Sequence, residues 1–292
     1  MAGEGINLKE TPMNKLDAGV AIPIKTKTVP VRRILGLNPG PMTGPGTNSY
    51  LIGQERLSLL DPGPADETQL QNFLQAIGSA TLENILITHT HADHSPGALA
   101  LQEATGARLV GLKAPDVTGH DKTFSPGRLW RDEETIDCGE YRVQLIATPG
   151  HVSNHICFLL KEEQLLFTGD HVLQGTTSVI LPPDGDMTAY LNALERLLLI
   201  PLKALAPGHG SVMTEPRIEI EKLIAHRLKR EQKVVAGLES LGAVSLDELV
   251  LTVYDDVAKQ LIPWAKRTLL AHLLKLQQDD RIQCNNELWE MR

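Results

Sequence analysis

Short apolar runs separated by turn residues set the texture of residues 20–60. Ala21-Ile22-Pro23-Ile24 and Arg33-Ile34-Leu35-Gly36-Leu37 read as strands of a meander. Tyr50-Leu51-Ile52-Gly53 and Leu57-Ser58-Leu59-Leu60-Asp61 read as a pair around a Gln54-Glu55 turn. The period then changes. Leu70, Phe73, Leu74 and Ile77 fall on one face of a helix over 66–78. Alternation continues with a strand at 84–88, a helix at 96–105 and a strand at 107–111. That helix has Ser95 as a natural N-cap, Pro96 at its first position and Gly106 just past its end. Further strands are expected at 142–147, 155–160 and 164–167, followed by a helix from Met187 to Leu199. Two such sets of strands and helices predict two sheets packed face to face with helices outside.

Near Pro216 the pattern shifts to helices. Arg217 to Leu241 is one continuous helical stretch, and Ser245-Leu246-Asp247-Glu248 is a capping box opening a second. A third spans about Trp264 to Gln277, and residues 281–289 read as a short hairpin with an Asn-Asn turn. Three helices and a hairpin are the outline of a winged helix, so the chain divides into 1–215 and 216–292.

Composition is that of an ordinary globular protein of 292 residues, and no window approaches a membrane span. The opening stretch, 1–17, is polar and mixed in charge, without the pattern of a signal peptide. Cys138, Cys157 and Cys284 show neither metal spacing nor an even disulfide set. A reducing cytoplasm is therefore expected, or a mitochondrial matrix in a eukaryote. Residues 1–215 carry 16 Lys/Arg against 24 Asp/Glu, a balance of −8, while 216–292 carry 12 of each. No strongly basic nucleic-acid footprint results. A homodimer is compatible with the sequence without being required by it.

The chemistry lies between the strand at 84–88 and the helix at 96–105. Thr88-His89-Thr90-His91-Ala92-Asp93-His94 places three imidazoles and a carboxylate on one turn. Imidazole and carboxylate are common zinc ligands, and four so close cannot all reach one tetrahedral ion. The spacing points to two adjacent metals, with His89 and His91 serving one and Asp93 and His94 the other. Asp61 ends a buried strand, and a buried carboxylate needs partners. The second nitrogen of a ligand histidine would be a good one. The Gly/Pro-rich stretch 38–48 is either a connector or a rim over the metals.

This turn resembles the Thr-His-x-His-x-Asp-His motif of the metallo-β-lactamase superfamily. Thr148-Pro149-Gly150-His151, Thr168-Gly169-Asp170 and Ala206-Pro207-Gly208-His209 follow in the family's order. The resemblance implies an α+β, four-layer αββα sandwich with a C-terminal winged-helix-like domain. It implies that His89, His91 and His151 hold one metal, Asp93, His94 and His209 the other, and that Asp170 bridges them. Asp61 resembles the residue that orients a ligand histidine. Pro96 departs from the Gly-Gly that many members carry, a change the capping role would tolerate. Asn38 to Thr43, Pro182 to Met187, His226-Arg227-x-x-Arg230-Glu231 and the winged tail resemble the lactamase-beta-like-protein-2 group, whose characterised animal member cleaves single-stranded RNA.

The implied activity is hydrolysis by a hydroxide shared between two zinc ions, with iron or manganese compatible with the same ligands. Asp93 and Asp170 are the expected catalytic carboxylates. The leading substrate expectation is single-stranded RNA, with Arg227 and Arg230 as candidate phosphate contacts on a helix face that its interleaved Glu221, Glu231 and Glu239 equally fit to plain solvation. A small thioester or lactone is the alternative, motivated by the acidic first part and an aromatic content of only 4%. A third reading, a non-catalytic module using the winged tail, sits poorly with a complete ligand set. A secreted β-lactamase is disfavoured by the polar opening and by Asp170 in the bridging position. His155 and His171 are candidates to support the ligands, and His120, His226 and His272 read as surface or packing residues.

Overall fold

In the computed structural model, residues 18–292 are described; the polar opening at 1–17 lies outside them. Strands β1 (Ala21–Pro23), β2 (Val31–Leu35), β3 (Asn48–Ile52) and β4 (Arg56–Leu60) form the expected antiparallel meander. Helix α1 (Glu67–Ile77) then returns the chain to β5 (Thr81–Leu86), parallel to β4, and α2 (Gly97–Thr105) returns it to β6 (Arg108–Val110). The six strands lie in chain order in one sheet.

The second sheet has five strands: β7 (Thr135–Asp137), β8 (Arg142–Ala147), β9 (Ile156–Leu160), β10 (Leu165–Gly169) and β11 (Ala204–Pro207). Helix α3 (Met187–Leu197) is the crossover that lets β11 run parallel to β10. The alternation of side chains on each strand divides the core into layers. From β9, Ile156, Phe158 and Leu160 meet Tyr50, Ile52 and Leu60 of the first sheet. The other face of β9, Cys157 and Leu159, packs on Tyr190, Leu191 and Leu194 of α3. Outside the first sheet, Leu51, Leu57 and Leu59 bury Phe73, Ile77, Ala98 and Leu101 of α1 and α2. Because both faces of each sheet are covered, central strands read as nearly continuous apolar runs. The α/β/β/α layering is the expected one.

The tail comprises α4 (Pro216–Leu241), β12 (Val244–Ser245), α5 (Leu246–Val253), a 3-10 turn (Lys259–Leu261), α6 (Ile262–Gln278), β13 (Ile282–Asn285) and β14 (Leu288–Met291). The three strands form one sheet in the order β12-β14-β13. Val234, Leu238, Leu249, Leu269, Leu273, Ile282 and Trp289 build a core of their own. Yet Ile220, Leu223 and Ala271 pack against the α3 layer. Helix α4, which starts at Pro216, therefore contributes to both cores.

Three local expectations need correction. Ser95 does not cap α2: its hydroxyl donates to Asp121 Oδ2 at 2.7 Å, and Pro96 takes the cap position without a side-chain bond. Gly106 does end the helix in the left-handed conformation. The hairpin turn is Asn286–Glu287, both at positive φ, not an Asn-Asn pair, because Asn285 is still opposite Leu288. Among the described residues, no helix is long and apolar enough to cross a membrane.

Candidate metal centre

Loops at one edge of the sandwich bring residues from both sheets to a common point. The loop after β5 carries His89, His91, Asp93 and His94; the loop after β8 carries His151. Asp170 follows β10 and His209 follows β11. His91 Nδ1 lies 3.1 Å from His89 Nε2 and 3.1 Å from His151 Nε2, so three lone pairs meet. In the second group, His209 Nε2 is 3.2 Å from Asp93 Oδ2, and His94 Nε2 is 3.4 Å from the same oxygen. Asp170 stands between the groups. Its Oδ1 is 3.3 Å from His94 Nε2 and 3.4 Å from His209 Nε2, while Oδ2 is 3.7 Å from His151 Nε2.

The far nitrogen of each imidazole decides which lone pair faces inward. His151 Nδ1 donates to Val179 O at 2.6 Å and His94 Nδ1 to Asp61 Oδ2 at 2.9 Å. A carbonyl or carboxylate can only accept, so in both rings Nε2 is left without a proton once the site is ligated. The Thr88 hydroxyl donates to Asp61 Oδ2 at 2.7 Å and accepts from His89 Nδ1 at 3.0 Å. Gly46 O accepts from His209 Nδ1 at 3.4 Å, and Thr47 Oγ1 lies 3.5 Å from Asp93 Oδ2. The Gly/Pro-rich loop is thus a buttress of the second group. Asp61 is fully buried, with φ 47 fixed by its own N–H to Leu86 O at 2.9 Å. A left-handed non-glycine residue is strained, and here it aims a carboxylate at two neighbours of the cluster. Gly150 (φ 140) is demanded by packing as well: a Cβ there would overlap the Tyr190 backbone.

The electrostatics differ between the groups. Burial holds His89 well below its ordinary value, helped by the imidazoles around it, and brings His91 to about 3. His151 is lowered by burial too. These three are neutral at physiological pH, the form that binds a metal. Burial alone would lower His94 and His209, but the carboxylates of Asp93 and Asp170 prevail and raise both. Conversely, burial would raise Asp93 and Asp170, and the two imidazoles hold both below the usual carboxylate range. His94 Nε2 and Asp170 Oδ1 are buried and lack a hydrogen-bond partner. Nitrogen and carboxylate donors with inward lone pairs and orphaned polar atoms fit a divalent transition metal. Three overlapping ligand groups are available: His89, His91 and His151; His89, His94 and Asp170; Asp93, His94 and His209.

The structure separates the seven expected ligands, which converge, from the two expected phosphate contacts, which do not. Arg227 is 3% exposed, and its guanidinium donates to Ser178 O. Arg230 donates to Val253 O at 2.6 Å and to Asp256 Oδ1 at 2.8 Å. Neither lies among the converging ligands; both hold α4 to its surroundings. His155 does support the centre: Asp170 N–H donates to its Nε2 at 3.2 Å. His171 is buried against His155 and Tyr190 and touches no ligand by hydrogen bond. His226 is exposed and His272 fully buried. His120 is a packing residue. Its ring lies 5.1 Å from that of His91, pinned by Thr90 Oγ1 at 2.8 Å and Asp184 Oδ2 at 3.1 Å. Only the presence of Asp184 inside the Pro182–Met187 motif hinted at this anchor, and Val179 O left no trace in the sequence.

Comparison with known proteins adds three findings. The family profile described as metallo-beta-lactamase superfamily matches residues 42–209, and that of the beta-lactamase associated winged helix domain matches 245–289. A beta-lactamase-like protein 2 homolog of Drosophila melanogaster is 33% identical, covering 89% of this chain and 92% of its own. An atrochrysone carboxyl ACP thioesterase of Aspergillus fumigatus is 32% identical, covering 82% and 80%. Among solved structures, a beta-lactamase domain protein from Burkholderia ambifaria superposes with a TM-score of 0.78 at 19% identity, over 94% of each chain.

Proposed function

Because this chain belongs to the metallo-β-lactamase superfamily and is a hydrolase of that family, we propose that it hydrolyses an acyl thioester at a two-metal centre. The observation that carries the reading is the placement of Asp170, with one oxygen toward each group of imidazoles. His89, His91 and His151 would hold one ion, Asp93, His94 and His209 the other, and Asp170 both. Zinc is the ion best matched to these donors. Ions held there supply Lewis acidity, bringing the pKa of water to about 7 and stabilising negative charge on an attacked oxygen.

The residues do the rest. Thr88, Asp61 and Val179 O fix the rings, so little reorganisation accompanies ligation. Asp93 is the ligand carboxylate open to solvent, its side chain 28% exposed, against 13% for Asp170. Kept ionised by His94 and His209, it would present Oδ2 to the ion and leave Oδ1 to accept a proton as water attacks and return it to the leaving group.

Thioester is favoured over phosphodiester by the fate of the basic residues. Arg227 and Arg230 face inward, while Lys233, Lys266, Lys275 and Arg281 are paired with Asp255, Asp247, Glu231 and again Glu231. A thioester needs no cationic lane, and an A. fumigatus relative is named a thioesterase. Single-stranded RNA is the second reading, supported by a cleft of about 430 Å³ between Pro149–Gly150, residues 182–187 and α6. The winged unit forms one wall of that cleft.

The test is turnover of a hydroxyacyl thioester, a lactone and a single-stranded RNA oligonucleotide by metal-loaded protein, with His91→Ala beside it. Thioester turnover lost in the mutant is expected. RNA cleavage lost in the mutant, without thioester turnover, would replace the first reading by the second. Undiminished turnover by metal-depleted His91→Ala protein would overturn the centre itself.

A further inference from the structure

Four of the five ligand imidazoles, those of His89, His94, His151 and His209, are oriented by a partner on the far nitrogen, and the partner of His151 lies in a segment held from the C-terminal unit. Thr88, Asp61 and Gly46, which serve His89, His94 and His209, sit in the sandwich next to regular strands. Val179, which serves His151, lies in the irregular stretch 171–186 between β10 and α3. A stretch without its own ladder of hydrogen bonds needs an outside clamp to keep a carbonyl aimed. The buried guanidinium of Arg227, from α4, donates to the carbonyl of the adjacent Ser178. The same guanidinium lies 5.3 Å from the centre of the Tyr190 ring, and the Tyr190 backbone is where Gly150, just before His151, packs. One side chain therefore contacts both the residue beside Val179 and the residue on which Gly150 packs.

We propose that Arg227 is a positioning residue of the metal centre, through which the C-terminal unit sets the orientation of His151. The inference rests on the reading of His89, His91 and His151 as one metal group. The cation contributes through geometry: a planar guanidinium is pre-organised to donate to a carbonyl while lying against an aromatic ring. Loss of a group that orients a metal-binding histidine typically weakens binding about 10- to 100-fold. A purely structural clamp between units would lower stability without singling out one ligand group.

The experiment is a Co²⁺ titration against a competing chelator, followed by the visible absorption of the bound ion, on the full chain. Arg227→Met is compared with Arg230→Met, which cuts the neighbouring tie of α4 to Val253 and Asp256 and spares the 178–180 segment. One of two Co²⁺ equivalents should weaken at least about tenfold in Arg227→Met, with an altered spectrum, while Arg230→Met binds as wild type. His151→Ala identifies which equivalent belongs to His151. Should Arg227→Met fail to fold, Arg227→Gln is read instead, with the same expectation. Wild-type Co²⁺ affinity in a folded Arg227 variant, or equal weakening in Arg230→Met, overturns the proposal and leaves the centre standing. A wild-type chain that takes up no Co²⁺ removes the centre, and the proposal with it.

Discussion

Glu163 shows at the residue scale how a buried carboxylate can be structural and not catalytic. It lies in the turn between β9 and β10 and accepts from Lys27 N at 2.7 Å, Thr28 N at 2.6 Å and Val29 N at 2.8 Å. It thereby ties the β1–β2 connection of the first sheet to the hairpin of the second. Burial would raise its pKa, but these N–H donors bring it from 4.5 to about 2. A carboxyl depressed in the folded state adds stability above its unfolded pKa, and that stability is lost as pH falls through the folded value. Glu163→Gln should thus cost about 2 kcal/mol at pH 7 in urea unfolding, with the deficit shrinking steadily from about pH 4.5 toward pH 2. A deficit of constant size across that window would assign the loss to packing. Asp61 is the contrasting case. Its strained backbone and its two neighbours in the cluster, Thr88 and His94, tie it to the centre.

At the scale of elements, local sequence signals succeed where their partners lie within a few residues. Ser245 and Glu248 form the capping box on α5, Ser245 Oγ accepting from Glu248 N and the Glu248 side chain reaching back. Ser245→Ala should lower stability by about 1 kcal/mol, read as a shift in the thermal or urea midpoint of the C-terminal unit. No measurable shift would mean that tertiary packing alone holds the start of α5. The same local logic failed at Ser95, whose hydroxyl found Asp121 instead of the N–H groups of α2. It failed again at the hairpin, where pairing of Asn285 with Leu288 moved the turn one residue on. Strand β7 went unread because a three-residue edge strand with one buried side chain carries no usable period.

For the whole molecule, metal held at the candidate centre would be a cross-link. His89 to His94 come from the first sheet, and His151, Asp170 and His209 from the second. Metal bound there adds stability as RT ln(1 + [L]/Kd), about 4 kcal/mol when free metal exceeds Kd a thousandfold. Zinc should therefore raise the thermal midpoint, a chelator should reverse it, and His91→Ala should respond only weakly. A midpoint indifferent to chelator would show that no metal spans the sheets. The seven residues that converge at the sandwich edge, the α/β/β/α layering and the winged tail were legible in the sequence alone. Spacing within one turn, apolar period and caps are short-range properties, and the motif order resembles a known family. What the partners do was decided only by tertiary structure. Arg227 and Arg230 look from their spacing like a cationic stripe. Yet the carbonyl that consumes Arg227 lies 49 positions away, and a helix sequence does not say which of its faces another element will cover. The inward lone pair of His151 likewise depends on a backbone oxygen at Val179, a group every residue carries and no sequence distinguishes.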